Sequence, residues 1–381
     1  MKTRTLKTFL LLIPLFIASS CDKNKDTEQP GPNSRKYQRI IDKFLQAGAA
    51  GVSMTVISPQ GTWVGVGGKA DTQANVALKP ENTLRIGSMT KLFAMATILK
   101  LQEEGVLTIR DKVNKYVPAS ITNRIANGND ITIEQCLNHT SGVAEYLTEE
   151  VFVGIMTGTI SKYSAERNLQ FIYDKPAMAA PGKGSRYCNS NYLLLSSVIS
   201  HATGKPAYQV VTEKIIVPQN LKNTFAGTAI PATLTKAYYS EEENGSKLTD
   251  VTAMDNAAVG GEGALDGGMM ATSEDIAHFL EALLTGKVLS AASLAQMKTF
   301  QPIDPRDLSD DLLYYKGYGL GLMKIETNQG TALGHDGHVH GFVGKAFYLP
   351  EKKVTMVILL NSWSPASVKV LNAKETFDLL F

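Results

Sequence analysis

Residues 85–105 read RIGSMTKLFAMATILKLQEEG, and the interpretation of the whole chain begins from this stretch. From Met89 to Leu101 most positions are apolar, which predicts a helix buried on nearly all sides. Ser88 lies at the head of that helix, and Lys91 follows three residues later on the same face. A lysine in a buried helix is costly unless a partner or a task holds it there. The pattern therefore predicts a nucleophilic serine whose hydroxyl meets the Lys91 amine, beside backbone N–H groups that favour negative charge.

The Ser-x-x-Lys spacing is weak evidence when it stands alone. It occurs a second time at Ser20–Lys23, in a segment where catalysis makes no sense. Taken in isolation, Ser88 and Lys91 would be better explained as an N-cap serine and a lysine that reaches toward solvent. The catalytic interpretation therefore depends on motifs further along the chain.

The first 34 residues have the composition of a targeting segment followed by a tether. Residues 1–20 combine three basic side chains, an apolar run and small residues before Cys21, which predicts a signal peptide ending in a lipobox. Cys21 would then be the lipidated first residue of a secreted, membrane-anchored lipoprotein, and residues 21–34 would form a flexible tether. Removing residues 1–20 changes the formal charge from +2 to −1, so nothing indicates nucleic-acid binding.

The remaining 347 residues, 35–381, are predicted to form one α+β folding unit. Alternating or continuous apolar runs predict a five-stranded antiparallel sheet flanked by helices. Its strands are expected from both ends of the chain, with an all-helical lobe inserted at approximately residues 108–260. Helices are expected at Arg35–Gln46, Ile133–Asn138, Asn191–Thr203, Ser273–Leu284 and Ala291–Thr299, and strands at Gly51–Ser58, Thr62–Gly67, Thr331–His335, Phe342–Leu349 and Val354–Leu360.

Two further motifs each occur once in the chain. Tyr187-Cys188-Asn189 is the sole Tyr-x-Asn, and His335-Asp336-Gly337 is the sole His-x-Gly. Alone, Tyr187 and Asn189 would be better explained as a loop tyrosine and a helix-capping asparagine. Cys136 and Cys188 are far apart in sequence and lie in apolar or tightly packed contexts, so they are predicted to be buried thiols rather than a disulfide.

Together, these motifs resemble those of a known group of serine hydrolases: the class C β-lactamases, D-alanyl-D-alanine peptidases and D-aminopeptidases. Segments 131–142, 267–275 and 318–322 look like segments of the same family, and the resemblance covers roughly residues 35–362. It implies a β-lactamase-like fold, with the active site in the cleft between the sheet and the helical lobe. It also implies an acyl-enzyme mechanism without a cofactor, acting on a small-molecule or peptide substrate, and we expect a monomer.

The resemblance also implies roles for individual residues. Ser88 would be the nucleophile, and Lys91 and Tyr187 would share the proton transfers in an order that remains open. Asn189, His335 and Gly337 would bind substrate: Asn189 would hold Lys91 and contact the substrate amide, His335 would take the place of a lysine, and Gly337 would let the substrate lie close to the strand. The oxyanion hole would consist of the backbone N–H groups of Ser88 and His338.

Four alternatives stay open at this stage. A true class C-type β-lactamase, an esterase and a non-catalytic surface-binding lipoprotein could each be built on the same fold. A zinc site at Asp336, His338 and His340 is disfavoured because Gly337 and Gly341 argue against a rigid strand.

Asp336 stands where relatives usually carry threonine or serine. If its carboxylate faces the cleft, we expect substrates that are neutral or that carry an amine.

Overall fold

The computed structural model describes residues 33–160, 164–258, 264–303, 308, 312 and 314–381. The predicted signal peptide, Cys21 and nearly all of the predicted tether lie outside these residues. Within them, no helix combines the length and apolar character needed to cross a membrane.

Thirteen α-helices lie within the described residues: α1 Ser34–Gln46, α2 Thr90–Glu103, α3 Ala119–Thr122, α4 Ile133–Leu137, α5 Glu149–Met156, α6 Ala165–Asn168, α7 Ser190–Thr203, α8 Ala207–Val211, α9 Thr252–Ala258, α10 Ser273–Leu284, α11 Ala291–Met297, α12 Pro365–Asn372 and α13 Lys374–Leu380.

The same residues contain fifteen strands: β1 Gly51–Ser58, β2 Gly61–Asp71, β3 Val76–Ala77, β4 Leu84–Arg85, β5 Thr224–Phe225, β6 Tyr238–Tyr239, β7 Thr249–Asp250, β8 Met270–Ala271, β9 Gln301–Pro302, β10 Tyr315–Tyr318, β11 Met323–Thr327, β12 Gly330–Val339, β13 Phe342–Leu349, β14 Val354–Leu360 and β15 Ser362–Trp363.

The central sheet is antiparallel, as predicted, but the prediction of five strands is wrong. Nine described strands form it, in the order β3-β2-β1-β14-β13-β12-β11-β10-β9. The five predicted strands correspond to β2, β1, β14, β13 and β12, which are adjacent in the sheet. The other four are only two to five residues long, and their pairing depends on partners distant in sequence, so the local pattern carries little signal.

Helices cover both faces of this sheet, which explains why its central strands are continuously apolar. Along β14, Val357 and Leu359 join a core containing α2 and α10. The alternate residues Met356 and Ile358 join a second core that contains α1 and α13. The chain between the two halves of the sheet supplies helices α3–α9, in the region predicted to be a helical lobe, together with the short strands β5–β7.

Helix α2 lies between the sheet and the helical region, and its residues from Thr90 to Leu99 are buried. Phe93 stacks on Phe279 of α10 with ring centroids 4.0 Å apart. A 3₁₀ turn at Gly87–Met89 leads into the helix and carries Ser88. The buried core of the protein therefore holds the candidate nucleophile in place.

Candidate active site

Ser88 lies where the turn before α2 approaches strand β12. Gly87 has a φ of +52°, and a Cβ atom there would lie 2.5 Å from the backbone nitrogen of His338. A Cβ at Gly337 would lie 2.0 Å from the Ile86 carbonyl oxygen, so both glycines are needed for this approach. The structure therefore packs the turn that carries Ser88 directly against the backbone of Gly337 and His338. That the N–H groups of Ser88 and His338 form an oxyanion hole stays a prediction.

Strand β12 continues to Val339, four residues beyond the predicted end at His335. The prediction treated Gly337 as a sign that the strand ends or turns there. The structure shows instead that glycine occupies the interior of the strand because the Ser88 turn passes so close to it.

Lys91 is completely buried, and its amine contacts three oxygen acceptors. The Nζ atom lies 2.9 Å from Ser88 Oγ, 2.9 Å from Asn189 Oδ1 and 2.5 Å from the Asp266 carbonyl oxygen. The predicted contact between Lys91 and Ser88 is therefore present. Burial lowers the pKa of Lys91 to about 8, although the carboxylates of Asp266, Glu145 and Asp336 partly oppose that change. At this pKa the amine can lose and regain a proton near neutral pH.

Tyr187 lies beside the same two groups. The Lys91 amine is 5.0 Å from the centroid of its ring. Tyr187 is 39% exposed as a residue, but desolvation within the site raises the pKa of its hydroxyl well above the usual value, and a hydrogen bond with Ser88 offsets only part of that rise. Tyr187 is therefore a phenol near neutral pH, which makes it a proton donor in the resting site.

Asn189 does not cap helix α7 through its side chain. Its Oδ1 accepts from Lys91, and its backbone N–H and Nδ2 both donate to Glu145 Oε2, at 2.6 and 3.2 Å. Burial raises the pKa of Glu145, while the bonds from Leu147 and Asn189 and the charge of Lys91 lower it. Asn189 therefore links Lys91 to Glu145, a carboxylate that is not among the residues predicted from the sequence.

His139 positions the Tyr187–Asn189 segment from the other side. Its Nδ1 accepts from the Cys188 backbone N–H and contacts Asn191 Nδ2, both at 3.1 Å. Its ring lies 4.4 Å from that of Tyr187. Burial lowers the pKa of His139 well below its usual value, so the ring stays neutral and can keep accepting. Nothing in the sequence around His139 indicates this contact, because it joins loops that are far apart in the chain.

His335 is enclosed rather than presented to a substrate. Its Nε2 lies 2.8 Å from the Tyr318 hydroxyl, and its Nδ1 lies 2.6 Å from the Asp336 carbonyl oxygen. Burial lowers the pKa of His335 to about 4, so the imidazole is neutral at pH 7. The buried His335 side chain supports the strand and brings no positive charge at pH 7, which argues against the predicted contact with substrate. That His335 fills the position of a lysine in related motifs stays a prediction.

Two cavities meet at Ser88 and Tyr187. The first cavity, of about 520 Å³, is bordered by Asn189, Asp266 and an aromatic wall. That wall consists of Phe152, Tyr239, His340 and Trp363. The second cavity, of about 340 Å³, is bordered by Asp336, Gly337, His338 and Lys345. A substrate held at Ser88 thus has space on both sides of the reacting carbonyl.

The acidic and histidine side chains do not converge as a metal site would require. Among the residues that the structure describes, no group of three or more His, Cys, Asp or Glu side chains could hold a metal ion. His338 and His340 stack instead on Trp363 and Tyr239. Cys136 and Cys188 are buried free thiols, as predicted, and burial raises the pKa of Cys188 to about 12.

The fold and the Ser88–Lys91–Tyr187 geometry define the class of serine acyl-transfer proteins built on a β-lactamase-like scaffold. The chain belongs to the beta-lactamase family, whose model matches residues 37–380. This confirms the family resemblance found in the sequence.

Three relatives illustrate the range of the family. A D-stereospecific amidohydrolase from Streptomyces is 27% identical, with a TM-score of 0.76 over 90% of this chain and 98% of that one. The D-amino acid amidase from Ochrobactrum anthropi, complexed with L-phenylalanine amide, is 21% identical, with a TM-score of 0.77 over 91% and 96% of the two chains, and shows the shared fold. The D-alanyl-D-alanine-carboxypeptidase/endopeptidase AmpH of Escherichia coli K12 is 27% identical over 58% of this chain. That match spans 57% of AmpH, less than two thirds of its length.

Proposed function

We propose that this protein is a serine hydrolase that forms an acyl-enzyme through Ser88 and cleaves an amide or ester bond of a D-peptide-like substrate. The observation that carries this proposal is the completely buried Lys91 amine, held 2.9 Å from Ser88 Oγ with its pKa lowered to about 8. A buried amine poised to exchange a proton with a hydroxyl activates that hydroxyl for attack on a carbonyl carbon.

The two steps of the reaction follow from these positions. Neutral Lys91 takes the proton of Ser88 as Oγ attacks, and the Ser88 and His338 N–H groups stabilise the oxyanion. Tyr187 donates its proton to the leaving amine or alkoxide, and the resulting phenolate recovers a proton from the Lys91 ammonium. Water then attacks the acyl carbon and gives a proton to Lys91. The acyl–oxygen bond to Ser88 breaks, and the Lys91 ammonium returns the proton to Ser88 Oγ.

The family members support an amide or D-peptide substrate. The Streptomyces relative is a D-stereospecific amidohydrolase, and AmpH is a D-alanyl-D-alanine carboxypeptidase and endopeptidase. A class C-type β-lactamase is the second candidate, and it is less favoured because Asp336 borders the second cavity. The carboxylate of a penicillin would meet that negative charge. A purely binding role leaves the Ser88–Lys91 contact unexplained.

The proposal is tested with a fluorophosphonate probe, which phosphonylates activated serines. Wild-type protein should be labelled at neutral pH, and Ser88→Ala should not be labelled. Ser141→Ala is a matched control, because Ser141 is a buried serine that hydrogen-bonds to Asn191 and does not contact Lys91 in the described site. Equal labelling of wild type and Ser88→Ala would refute the assignment.

We also propose that the mature protein begins at a lipidated Cys21 and is held at a membrane surface. This proposal is supported by the composition of residues 1–20 and by the small residues before Cys21. Wild-type protein should fractionate with membranes and carry a diacylglycerol mass at Cys21, and Cys21→Ser should lose both. Identical fractionation of the two proteins would count against an anchor.

A further inference from the structure

The second cavity contains a charge arrangement that the acyl-transfer mechanism does not use. Asp336 on β12 and Lys345 on β13 are register partners, and directly paired residues on neighbouring antiparallel strands point to the same face. Both border the second cavity beside Ser88. They do not lie in direct contact: the hydroxyl of Tyr315 joins them.

The direction of the hydrogen bonds through Tyr315 follows from the two charged groups. The Lys345 amine lies 2.9 Å from the Tyr315 hydroxyl, which in turn lies 3.0 Å from Asp336 Oδ2. An ammonium group only donates and a carboxylate only accepts, so Tyr315 must accept from Lys345 and donate to Asp336. The phenol therefore holds the Asp336 carboxylate in one orientation.

The cation of this arrangement is enclosed, whereas the anion is presented to the cavity. Lys345 is 1% exposed, and its amine lies 5.1 to 5.4 Å from the ring centroids of Tyr314, Tyr315 and Phe377. Such rings stabilise a desolvated cation. The Asp336 side chain is 32% exposed. Both groups border the second cavity, but a substrate group there reaches the more exposed Asp336 carboxylate more readily than the buried Lys345 amine.

His335 does not neutralise this carboxylate. Its Nδ1 lies 3.7 Å from Asp336 Oδ1, but burial keeps the imidazole neutral at pH 7 because its pKa is lowered to about 4. Asp336 Oδ2 accepts from Tyr315, and no ion pair of Asp336 with a lysine or arginine is present among the residues that the structure describes. A cation supplied by the substrate has the chemistry that complements this carboxylate.

We propose that Asp336 is an ammonium-binding subsite, oriented by Tyr315 and Lys345, and that the protein selects substrates carrying a primary amine next to the scissile bond. This inference rests on the proposed function and narrows its D-peptide-like substrates to those that carry a primary amine. Asp336 would contact the substrate, and Tyr315 and Lys345 would act through it as positioning residues.

The test compares two substrates that differ only in the α-ammonium group: D-alanine p-nitroanilide and propionyl p-nitroanilide. At pH 7 the α-amine is mostly protonated. The measured quantity is kcat/KM for D-alanine p-nitroanilide divided by kcat/KM for propionyl p-nitroanilide. Changes that affect both substrates equally cancel in this ratio. Asp336→Asn keeps the shape of the side chain and should lower the ratio by about 10- to 100-fold, the usual effect of a charged hydrogen bond. Tyr315→Phe keeps the Asp336 carboxylate but removes the hydroxyl that orients it, so this variant should lower the ratio by a smaller factor.

Asp266→Asn is the matched control. Asp266 is also a tyrosine-bound carboxylate beside Ser88, with Oδ2 2.6 Å from the Tyr146 hydroxyl, but it borders the first cavity. Its variant should change the rates with both anilides, because the Asp266 carboxylate also raises the pKa of Lys91, but it should keep the wild-type ratio of the two kcat/KM values. An unchanged ratio in Asp336→Asn, or an equal fall in Asp266→Asn, would overturn the subsite.

A second substrate distinguishes failure of the Asp336 subsite from failure of the proposed serine hydrolase function. p-Nitrophenyl propionate carries no amine, so its Ser88-dependent hydrolysis reports the acyl-transfer chemistry alone. Turnover of this ester with no effect of Asp336→Asn on the anilide ratio refutes only the subsite. No turnover of the ester and of both anilides by wild type refutes the function itself.

Discussion

The burial of Lys91 should be measurable as a pH-dependent difference in stability between wild type and Lys91→Met. The pKa of Lys91 is lowered from its ordinary 10.5 to about 8 in the folded protein. Between these pH values the unfolded chain binds more protons than the folded one, so the free energy of unfolding rises with pH. Below about pH 8 both states are protonated, and the folded protein carries the full cost of the buried ammonium.

The expected size follows from the pKa difference. One pKa unit corresponds to about 1.4 kcal/mol, so the full change is about 3 kcal/mol, most of it reached by pH 10. Lys91→Met lacks this titration. Glu145, His139 and His335, whose pKa values the Lys91 charge lowers, are a carboxylic acid and two imidazoles, and they contribute little between pH 7 and pH 10. The difference in unfolding free energy between wild type and variant should therefore shift in favour of wild type by about 2–3 kcal/mol from pH 7 to pH 10.

Urea unfolding, followed by tryptophan fluorescence at pH 7 and pH 10, measures this difference. Lys100→Met is the matched control for loss of a lysine from helix α2, because the Lys100 side chain is 31% exposed and pairs with Glu103. The same lowered pKa should appear as a rise in the acylation rate of wild type through about pH 8, since only the neutral amine accepts the Ser88 proton. If the stability difference between wild type and Lys91→Met is equal at the two pH values, Lys91 does not titrate as the structure requires.

Three further predictions concern residues around Ser88. Tyr187→Phe removes the proton donor and should slow acylation by anilides about 100-fold or more, measured by stopped flow. The effect on p-nitrophenyl esters should be smaller because their leaving group needs less protonation, and equal slowing of both would contradict the donor role. His139→Asn keeps an acceptor for the Cys188 N–H and tolerates the φ of +59° at this position, so it should retain far more activity than His139→Leu. If both variants lose the same activity, the hydrogen bond to Cys188 is unimportant. Asp336→Thr removes the negative charge and should speed acylation by benzylpenicillin relative to a neutral p-nitrophenyl ester; an unchanged ratio would show that this charge does not exclude carboxylates.

Local sequence patterns were sufficient for the long elements of the fold. Helix α10 spans Ser273–Leu284, as predicted, because Thr272 caps it through the Asp275 N–H and its apolar positions recur at helical spacing. Strands β1, β13 and β14 were predictable because they are long, apolar and bounded by turn residues. Strands β3 and β9 have two residues each, and only their partners in the sheet make them strands.

The site was predictable where its residues are close in sequence or belong to a family motif. Ser88 and Lys91 are one helical turn apart, and Tyr187 and Asn189 share one motif. The Asp266 carbonyl could not be predicted, because any residue has a backbone oxygen and only the fold brings this one to Lys91. The Lys345–Tyr315–Asp336 arrangement depends on the register of β12 with β13, which residue spacing does not show.

The central claim is that Ser88 carries the acyl group, and intact-mass spectrometry of a rapidly quenched reaction tests it directly. Wild type mixed with p-nitrophenyl propionate and quenched in acid should gain the mass of one propionyl group, and peptide mapping should place it on Ser88. Ser88→Ala should gain no such mass under the same conditions. Hydrolysis of the ester by Ser88→Ala at the wild-type rate, or a propionyl group mapped to another residue in the wild-type protein, would contradict the account.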